Sequence, residues 1–139
     1  MRVLFDTNVI IDIINKRAEF FDAANRALRL AFENCSPCVS TTTITDVIYI
    51  TRKAFVDSSA QKKALEDFFS NFKILSVSKK QIKQAFSCNM ADFEDAVQAY
   101  SAKKYRVKYI VTRNIKDFVC SPVPALMPVD FAKLYRTSI

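Results

Sequence analysis

Hydrophobic and polar residues follow one another along the chain in a pattern that predicts alternating strands and helices. Short apolar runs predict strands at residues 2–5, 38–40, 73–77, 109–112 and 125–129. Apolar residues at helical spacing predict helices over residues 9–14, 19–32, 44–55, 60–72, 79–86, 92–106 and 130–135. Strands that alternate with helices favour an α/β fold: one domain over residues 1–139, with three α/β/α layers around a mostly parallel sheet of four to five strands.

Polar residues at the predicted helix boundaries are consistent with this assignment. Candidate N-terminal caps are Thr7 or Asn8, the threonines at 41–43, and Ser58 with Ser59. The chain contains no glycine, and asparagine is the next choice for the left-handed residue that ends many helices. We therefore expect that conformation at Asn15, Asn34 and Asn71.

The composition is that of a folded globule without a membrane span. Half of the 139 residues are hydrophobic, and the best early apolar run, residues 9–14, is interrupted by Asp12. Because the first residues also lack the pattern of a signal peptide, we expect a cytoplasmic protein. Cys35 and Cys38 are spaced like a redox or zinc pair, but there is no histidine. Free thiols are therefore the favoured interpretation.

The charge balance points to an anionic partner. The formal net charge is +7, which favours nucleic acid first and a membrane surface second. Setting aside the five aspartates discussed next leaves nine of 14 acidic residues against 21 Lys and Arg, a balance of +12. An acidic cavity in a basic body suits phosphodiester chemistry.

Acidic residues recur where the ligand site of an open parallel sheet is expected, beyond the carboxyl ends of the strands. Asp6 follows the first strand directly, and Asp117 follows the fourth. Asp92 and Asp95 share one face at the start of a helix, whereas Glu94 is expected to point elsewhere. Asp46 lies early in the helix after the second strand. Taken singly, Asp46, Asp92 or Asp95 could simply favour the helix dipole; their convergence suggests a site.

Converging carboxylates need a proton or a cation to neutralise them. Two carboxylates about 5 Å apart repel by roughly 3 kcal/mol at an effective dielectric near 20. Oxygen ligands without histidine or thiolate select a hard ion, so Mg²⁺ or Mn²⁺ is the expected cofactor. The basic residues that flank these acids, Arg52, Lys53, Arg113 and Lys116, are candidate RNA contacts or else solvated surface charges.

Three segments resemble the PIN domain, and within it the VapC-like ribonuclease toxins of prokaryotic toxin–antitoxin pairs. They are VLFDTNV from residue 3, DFEDAVQA from residue 92 and YIVTRNIKDF from residue 109. The resemblance implies that Asp6, Asp95, Asp117 and also Asp92 bind the metal, and that Asn8, Thr112 and Asn114 orient the site. Asp46, expected to be a catalytic acid together with Asp6, Asp95 and Asp117, stands where the family usually has glutamate, and Asn114 stands where many relatives have aspartate.

The function expected from the residues and the resemblance is hydrolysis of RNA phosphodiester bonds by a metal-dependent endoribonuclease, the toxin of a toxin–antitoxin pair. An antitoxin protein and a second copy of the chain are the expected protein partners, with Phe20 and Phe21 either on such a surface or in the core. One alternative is a catalytically weakened PIN module that mainly binds RNA or a protein partner. A less favoured one is a phosphotransfer domain with Asp6 as nucleophile, which lacks the acid expected at Asn8.

Overall fold

Five short strands form one parallel sheet in the computed structural model, which describes residues 1–135. The strands are β1 (Arg2–Phe5), β2 (Ser36–Ser40), β3 (Lys73–Leu75), β4 (Tyr109–Val111) and β5 (Ala125–Leu126). Their order across the sheet is β3-β2-β1-β4-β5, and all neighbouring pairs are parallel. The strand order reverses beside β1, which is where open α/β sheets place their ligand crevice.

Helices cover both faces of this sheet. They are α1 (Thr7–Ile14), α2 (Phe21–Asn34), α3 (Thr41–Ile50), α4 (Ser58–Phe69), α5 (Lys79–Ser87), α6 (Phe93–Lys104) and α7 (Pro128–Lys133). Short 3-10 turns follow α3 at Arg52–Ala54 and β4 at Ile115–Phe118. The predicted three-layer α/β/α fold is confirmed. The last four residues of the predicted domain, 136–139, lie outside the described residues.

The two faces of β1 pack into separate hydrophobic cores. Val3 and Phe5 point to one side, where they pack with α1, α2, α3, α4 and α7. Leu4 points to the other side and packs against Ala99 and Ala102 of α6. Successive residues of a strand face opposite sides of a sheet, so an entirely apolar strand is the pattern expected of a sheet covered on both faces.

Several predicted boundaries were wrong by a few residues. β2 begins at Ser36 rather than residue 38, and β5 ends at Leu126 rather than residue 129. The last helix begins at Pro128, because proline lacks an N–H group and its fixed φ suits the first helical position. Helix α3 ends at Ile50, so Phe55 reaches the core from the segment after the 3-10 turn.

The N-terminal caps lie one residue before those predicted. Asp6 accepts from the Thr7 N–H, Ser40 caps α3, and Asp57 accepts from the Ala60 N–H. The predicted caps Thr7, threonines 41–43 and Ser58 are instead the first residues of their helices. The cap retains extended backbone, so the last polar residue of the preceding segment fills the position.

The asparagines do not adopt the left-handed conformation predicted for them. In the described residues the positive φ angles belong to Lys16 (48°) and Arg106 (58°), whereas Asn15 has φ −83°. Asn34 and Asn71 act through their side chains, donating amide N–H groups to backbone carbonyls four residues earlier. Such bonds satisfy terminal carbonyls without a left-handed residue.

The cysteines are free thiols in this structure, as predicted. Cys38 is buried in β2, and the Cys35 Sγ lies 2.9 Å from the Tyr135 hydroxyl. In the part of the chain that the structure describes, no helix has both the length and the apolar character to cross a bilayer.

Candidate active site

Asp6 occupies the carboxyl end of the central strand and is almost completely buried. Its side chain is 4% exposed. Oδ1 accepts from the Thr7 N–H at 2.8 Å and from the Gln98 amide at 3.2 Å, and Oδ2 accepts from the Thr112 hydroxyl at 2.8 Å and the Asn8 amide at 3.3 Å. Burial raises the pKa of Asp6 above its usual value, although the hydrogen bonds from Thr112, Thr7 and Gln98 oppose that rise.

The first turn of α6 places further carboxylates beside Asp6. Asp92 is the N-cap of this helix and accepts from the Asp95 N–H at 2.9 Å. Burial, followed by the charges of Asp6, Asp92 and Asp117, raises the pKa of Asp95 to about 8. The Asp117 side chain, on the 3-10 turn after β4, is within hydrogen-bonding reach of Asp95. Asp6, Asp95 and Asp117, far apart in the chain, thus lie near the same edge of the sheet, but Asp117 does not line the cleft and, in residues 1–135, the three carboxylates do not form a group that could hold one ion.

Glu94 also belongs to this group, contrary to the sequence prediction that it points elsewhere. It lines the same cleft as Asp6 and forms a hydrogen-bonded pair with Asp46 of α3. This bond, together with partial burial and the charges of Asp46, Asp92 and Asp6, raises the pKa of Glu94 to about 7. Asp46 thus acts on the cleft through Glu94 and does not line it.

These side chains surround a polar cleft of about 220 Å³. Its lining residues are Asp6, Thr7, Asn8, Ile11, Thr42, Asp92, Glu94, Asp95, Gln98 and Asn114. Repulsion between the carboxylates crowded at this edge of the sheet opposes their joint ionisation, and a bound cation would offset that repulsion.

The donor set has the chemistry that a hard cation requires, because all of its side-chain donors are oxygens. The Gln98 Oε1 atom is buried without a hydrogen-bond partner, so an acceptor beside Asp6 is available to a cation or to its water. The side chains are not preassembled: in residues 1–135, no three acidic or thiol groups stand where they could hold one ion together. Metal binding would therefore require side-chain rotation around Asp6 and Asp95.

Comparisons with known proteins identify the family of this chain. A family model described as PIN domain matches residues 2–116. The chain belongs to the PIN domain family. It is 30% identical to Ribonuclease VapC1 of Aquifex aeolicus (strain VF5) over 145 residues, which cover 98% of this chain and 96% of that protein.

Solved structures share the PIN domain fold. VapBC2 from Rickettsia felis, solved with a promoter DNA fragment, superposes with a TM-score of 0.71 at 23% identity over 91% of this chain and 98% of that one. A toxin–antitoxin complex from Klebsiella pneumoniae gives a TM-score of 0.71 at 25% identity over 91% and 97%.

Thr112 and Asn8, predicted to orient the PIN site, both contact Asp6. The Thr112 hydroxyl also accepts from the Asn114 N–H at 3.0 Å, which fixes the start of the loop after β4. Asn114 itself is exposed and lines the cleft, and Asn8 Oδ1 lies 3.4 Å from the Arg113 N–H. The orienting residues thus connect β1 to the loop after β4.

Sequence reasoning missed two uncharged members of the PIN site. The Gln98 amide donates to Asp6 and to the Thr43 hydroxyl, at 2.8 Å for the latter, and the Thr43 hydroxyl also contacts that of Thr7 at 2.9 Å. The usable signal for Gln98 was its position three residues after Asp95, on the same face of α6. Thr43 offered no signal beyond its place near the predicted start of α3.

The four predicted RNA contacts differ in their exposure and in whether an acidic side chain already neutralises their charge. Arg52, Lys53 and Lys116 are exposed, and the Arg52 guanidinium lies over the Tyr49 ring at 4.1 Å. Arg113 is instead committed to fully buried Asp12, with Nε to Oδ2 at 2.6 Å. The sequence did not single out Asp12, because within α1 it reads only as an interruption of an apolar run.

Phe20 and Phe21, considered for a partner surface, are not freely exposed. Phe21 packs against the main core, and the Phe20 ring lies 3.9 Å from the Arg113 guanidinium. The core interpretation therefore holds for Phe21. Phe20 covers the ion pair that joins α1 to the loop after β4.

Proposed function

We propose that this PIN domain is a metal-dependent endoribonuclease that hydrolyses RNA phosphodiester bonds and acts as the toxin of a toxin–antitoxin pair. The observation that carries the proposal is the cleft at the carboxyl end of the sheet, which Asp6, Asp92, Glu94 and Asp95 line together inside a molecule of net charge +7. The similarity to a ribonuclease along nearly the whole chain supports the same reaction.

The residues that would hold Mg²⁺ or Mn²⁺ are Asp6, Asp95, Asp117 and Asp92. Glu94 and Asp46 would lie next to these ligands without binding the ion directly. A bound ion of this kind activates water and stabilises the leaving oxygen of a phosphodiester. Mg²⁺ and Mn²⁺ both prefer oxygen ligands, so both remain candidates.

The chain's own residues prepare the carboxylates for that role. Thr112, Gln98 and the Thr7 N–H donate to Asp6 and so favour its ionised form. Without a cation, the Asp95 carboxyl retains its proton up to a pH of about 8, given its pKa. Carboxylates, amides and the hydroxyls of Thr7 and Thr42 line the cleft; in this proposal the carboxylates act as ligands and the attacking group is water.

The protein partners belong to the same proposal. Solved relatives include a VapBC2 structure and a toxin–antitoxin complex, which supports an antitoxin for this chain as well. We also propose a homodimer, as expected from the sequence, and action in the cytoplasm, where the RNA substrate is found.

The decisive experiment is RNA cleavage with and without a divalent cation. We expect the protein to cleave RNA with Mn²⁺ or Mg²⁺, EDTA to stop the reaction, and Asp6→Asn to lower the rate by at least about 100-fold. That loss corresponds to about 2.7 kcal/mol of transition-state stabilisation. Asp130→Asn is the matched control, because Asp130 is an exposed aspartate of α7.

Mn²⁺ binding followed by calorimetry separates ligation from catalysis. Asp6→Asn should weaken it, whereas Asp130→Asn should not. Cleavage that continues at the wild-type rate in Asp6→Asn would remove Asp6 from the mechanism and reject this proposal.

A weakened PIN module that binds RNA without cleaving it is the second candidate. Two observations favour it: Asp46 reaches the cleft only through Glu94, and the acids are not preassembled around an ion. RNA binding without metal-dependent cleavage would select this candidate. The phosphotransfer alternative has less support, because both Asp6 oxygens accept hydrogen bonds and the side chain is 4% exposed.

A further inference from the structure

Two exposed phenylalanine rings, one of them in the helix turn that lines the acidic cleft, pack against each other at a tilt. Phe86 of α5 and Phe93 of α6 have ring centroids 4.6 Å apart with an interplanar angle of 49°. Phe86 is 76% exposed and Phe93 42% exposed. Phe93 lies between Asp92 and Glu94, both of which line the cleft. The backbone of Phe93 therefore lies in the same helix turn as two lining residues of the candidate active site.

The position of the pair is fixed by the packing of its two helices. Ala85 of α5 packs with Ala96 and Val97 of α6 in a small core of their own. Single exposed hydrophobic residues are ordinary on protein surfaces. Two aromatic rings that pack against each other at a tilt, on helices that are themselves packed together, are held in place and so lose little entropy when a ligand binds to their exposed faces.

Lysines continue the same surface along α5. Lys79, Lys83 and Phe86 are spaced by four and three residues, so they share one face of the helix. All three are exposed, and within residues 1–135 neither lysine takes part in an ion pair. The segment from Lys79 to Ser87 contains no acidic residue. This face thus offers unneutralised positive charge next to exposed aromatic rings.

We propose that Phe86 and Phe93 form a stacking platform for the bases of single-stranded RNA, whose phosphates follow Lys79 and Lys83. Aromatic side chains and cationic grooves are the means by which proteins hold single-stranded nucleic acid. The platform lies outside the carboxylate cluster and delivers the strand to it. The inference rests on the proposed ribonuclease function, since it names where that substrate binds.

The chemistry of the surface favours RNA over a protein partner. A protein that docked here would cover two rings bordered by lysines, whereas stable protein interfaces bury a contiguous core that is depleted of lysine. Bases present flat faces to the rings and phosphates present charge to the lysines. Both features of the surface therefore have a counterpart in one ligand.

The test is the affinity for a short fluorescein-labelled single-stranded RNA, measured by anisotropy in EDTA to prevent cleavage. Base stacking is typically worth about 1–3 kcal/mol per base. We therefore expect Phe86→Ala and Phe93→Ala each to weaken binding by about tenfold, equivalent to about 1.4 kcal/mol. Phe32→Ala is the matched control: Phe32 is 40% exposed and packs edge-on against Phe72, away from the α5–α6 pair.

Conservative variants separate stacking from mere apolar contact. Phe86→Tyr keeps an aromatic face and should bind RNA as the unaltered protein does, whereas Phe86→Leu should bind as weakly as Phe86→Ala. This pair also remains informative if an alanine variant fails to fold. Leucine that binds as well as phenylalanine would overturn the platform and indicate a general apolar contact, such as a protein surface.

The lysines have a separate signature. Removing one lysine–phosphate interaction should reduce the salt dependence of single-strand binding by about 0.7 in log–log slope, so Lys79→Ala with Lys83→Ala should reduce it by about 1.4. Lys62→Ala with Lys63→Ala removes the same charge from α4 and should leave the slope unchanged.

Inorganic polyphosphate, which has no bases, tests the phenylalanine by itself. It should bind Phe86→Leu and the unaltered protein equally; weaker binding to Phe86→Leu would overturn the stacking role.

The two proposals fail differently. If the unaltered protein cleaves RNA and the phenylalanine variants bind it with unchanged affinity, the platform is wrong and the ribonuclease stands. If the unaltered protein neither binds nor cleaves single-stranded RNA, both proposals are rejected. Platform variants that bind weakly, while the Phe32 control binds normally, would support the inference.

Discussion

Gln98 illustrates how uncharged side chains set the state of the acids. Its amide donates to Asp6 and Thr43, and its own oxygen has no partner. The bond to Asp6 opposes the rise in the pKa of that buried carboxyl. A glutamine three residues after Asp95 thus influences the protonation of the first carboxylate of the site through a hydrogen bond.

We expect Gln98→Leu to move the acidic limb of the cleavage–pH profile to higher pH, because Asp6 loses a donor that favours its ionised form. Loss of the hydrogen bonds should also lower the free energy of unfolding by about 1–3 kcal/mol. The profile would be measured as the cleavage rate against pH, and stability by urea unfolding followed by circular dichroism.

Gln61→Leu is the matched control for that prediction. Gln61 is an equally buried glutamine, and its amide donates to the Ile48 carbonyl and the Thr51 hydroxyl, remote from the cleft. It should lose similar stability and keep the original pH profile. A Gln98→Leu profile that matches that of Gln61→Leu would show that Gln98 is only structural.

At the scale of single residues, the sequence predicted which edge of the sheet the carboxylates occupy better than it predicted the side chains that contact them. Asp6, Asp95 and Asp117 could be placed because each follows a strand or begins a helix at the expected edge of the sheet. Glu94 was misplaced because spacing along one helix gives directions around that helix alone. Its partner Asp46 belongs to α3, and the distance between α3 and α6 depends on packing that local sequence does not encode.

At the scale of secondary-structure elements, one ion pair joins α1 to the loop after β4. The Asp12 carboxylate is completely buried and accepts from Arg113 at two atoms, Nε at 2.6 Å and Nη2 at 3.3 Å. Arg17 adds a more distant contact at 3.7 Å. The loop that Arg113 occupies also contains Asn114 and leads to Asp117. The ion pair therefore helps to hold this loop, and the site residues on it, in position.

We expect Asp12→Ala to lower the free energy of unfolding by about 3 kcal/mol. This is the lower end of the range for breaking a buried pair, because Arg113 is partly exposed and can turn towards water. Asp12→Leu combined with Arg113→Met should recover much of the loss, since no unpaired charge remains. Urea unfolding of the single and double variants measures the coupling.

The control for this pair is an exposed one. Asp130 and Lys133 of α7 lie 3.5 Å apart with about half of each side chain in solvent, so Asp130→Ala should change stability by less than about 1 kcal/mol. Equal losses for Asp12→Ala and Asp130→Ala would contradict a structural role for the buried pair.

At the scale of the whole molecule, the sequence predicted the layers but not the order of strands. Alternating strands and helices require a parallel sheet, whereas β1 could be recognised as central only from its pairing with both β2 and β4. Its entirely apolar sequence is consistent with that position. Local sequence does not determine strand order, which depends on the side of β1 to which the chain returns after α6.

The gathering of acids makes the stability of the whole fold depend on pH and on cations. Asp95 has a pKa of about 8 in the folded protein against an ordinary value of 3.8, so the folded state holds a proton that the unfolded chain releases. The contribution of Asp95 to stability without metal should therefore be greatest below the ordinary value and should be lost as pH rises from about 4 towards 8. Asp95→Asn should remove most of this pH dependence.

A divalent cation competes with that proton for the Asp95 carboxylate. Mg²⁺ should raise the melting temperature more at pH 8 than at pH 6, because at the higher pH Asp95 gives up its proton at little cost. In EDTA at pH 8, Asp95→Asn should melt above the unaltered protein, since one like charge is gone, yet it should respond little to Mg²⁺. Asp130→Asn should respond as the unaltered protein does. A Mg²⁺ response that is the same at both pH values, or that survives in Asp95→Asn, would mean that the ion binds somewhere other than among these carboxylates.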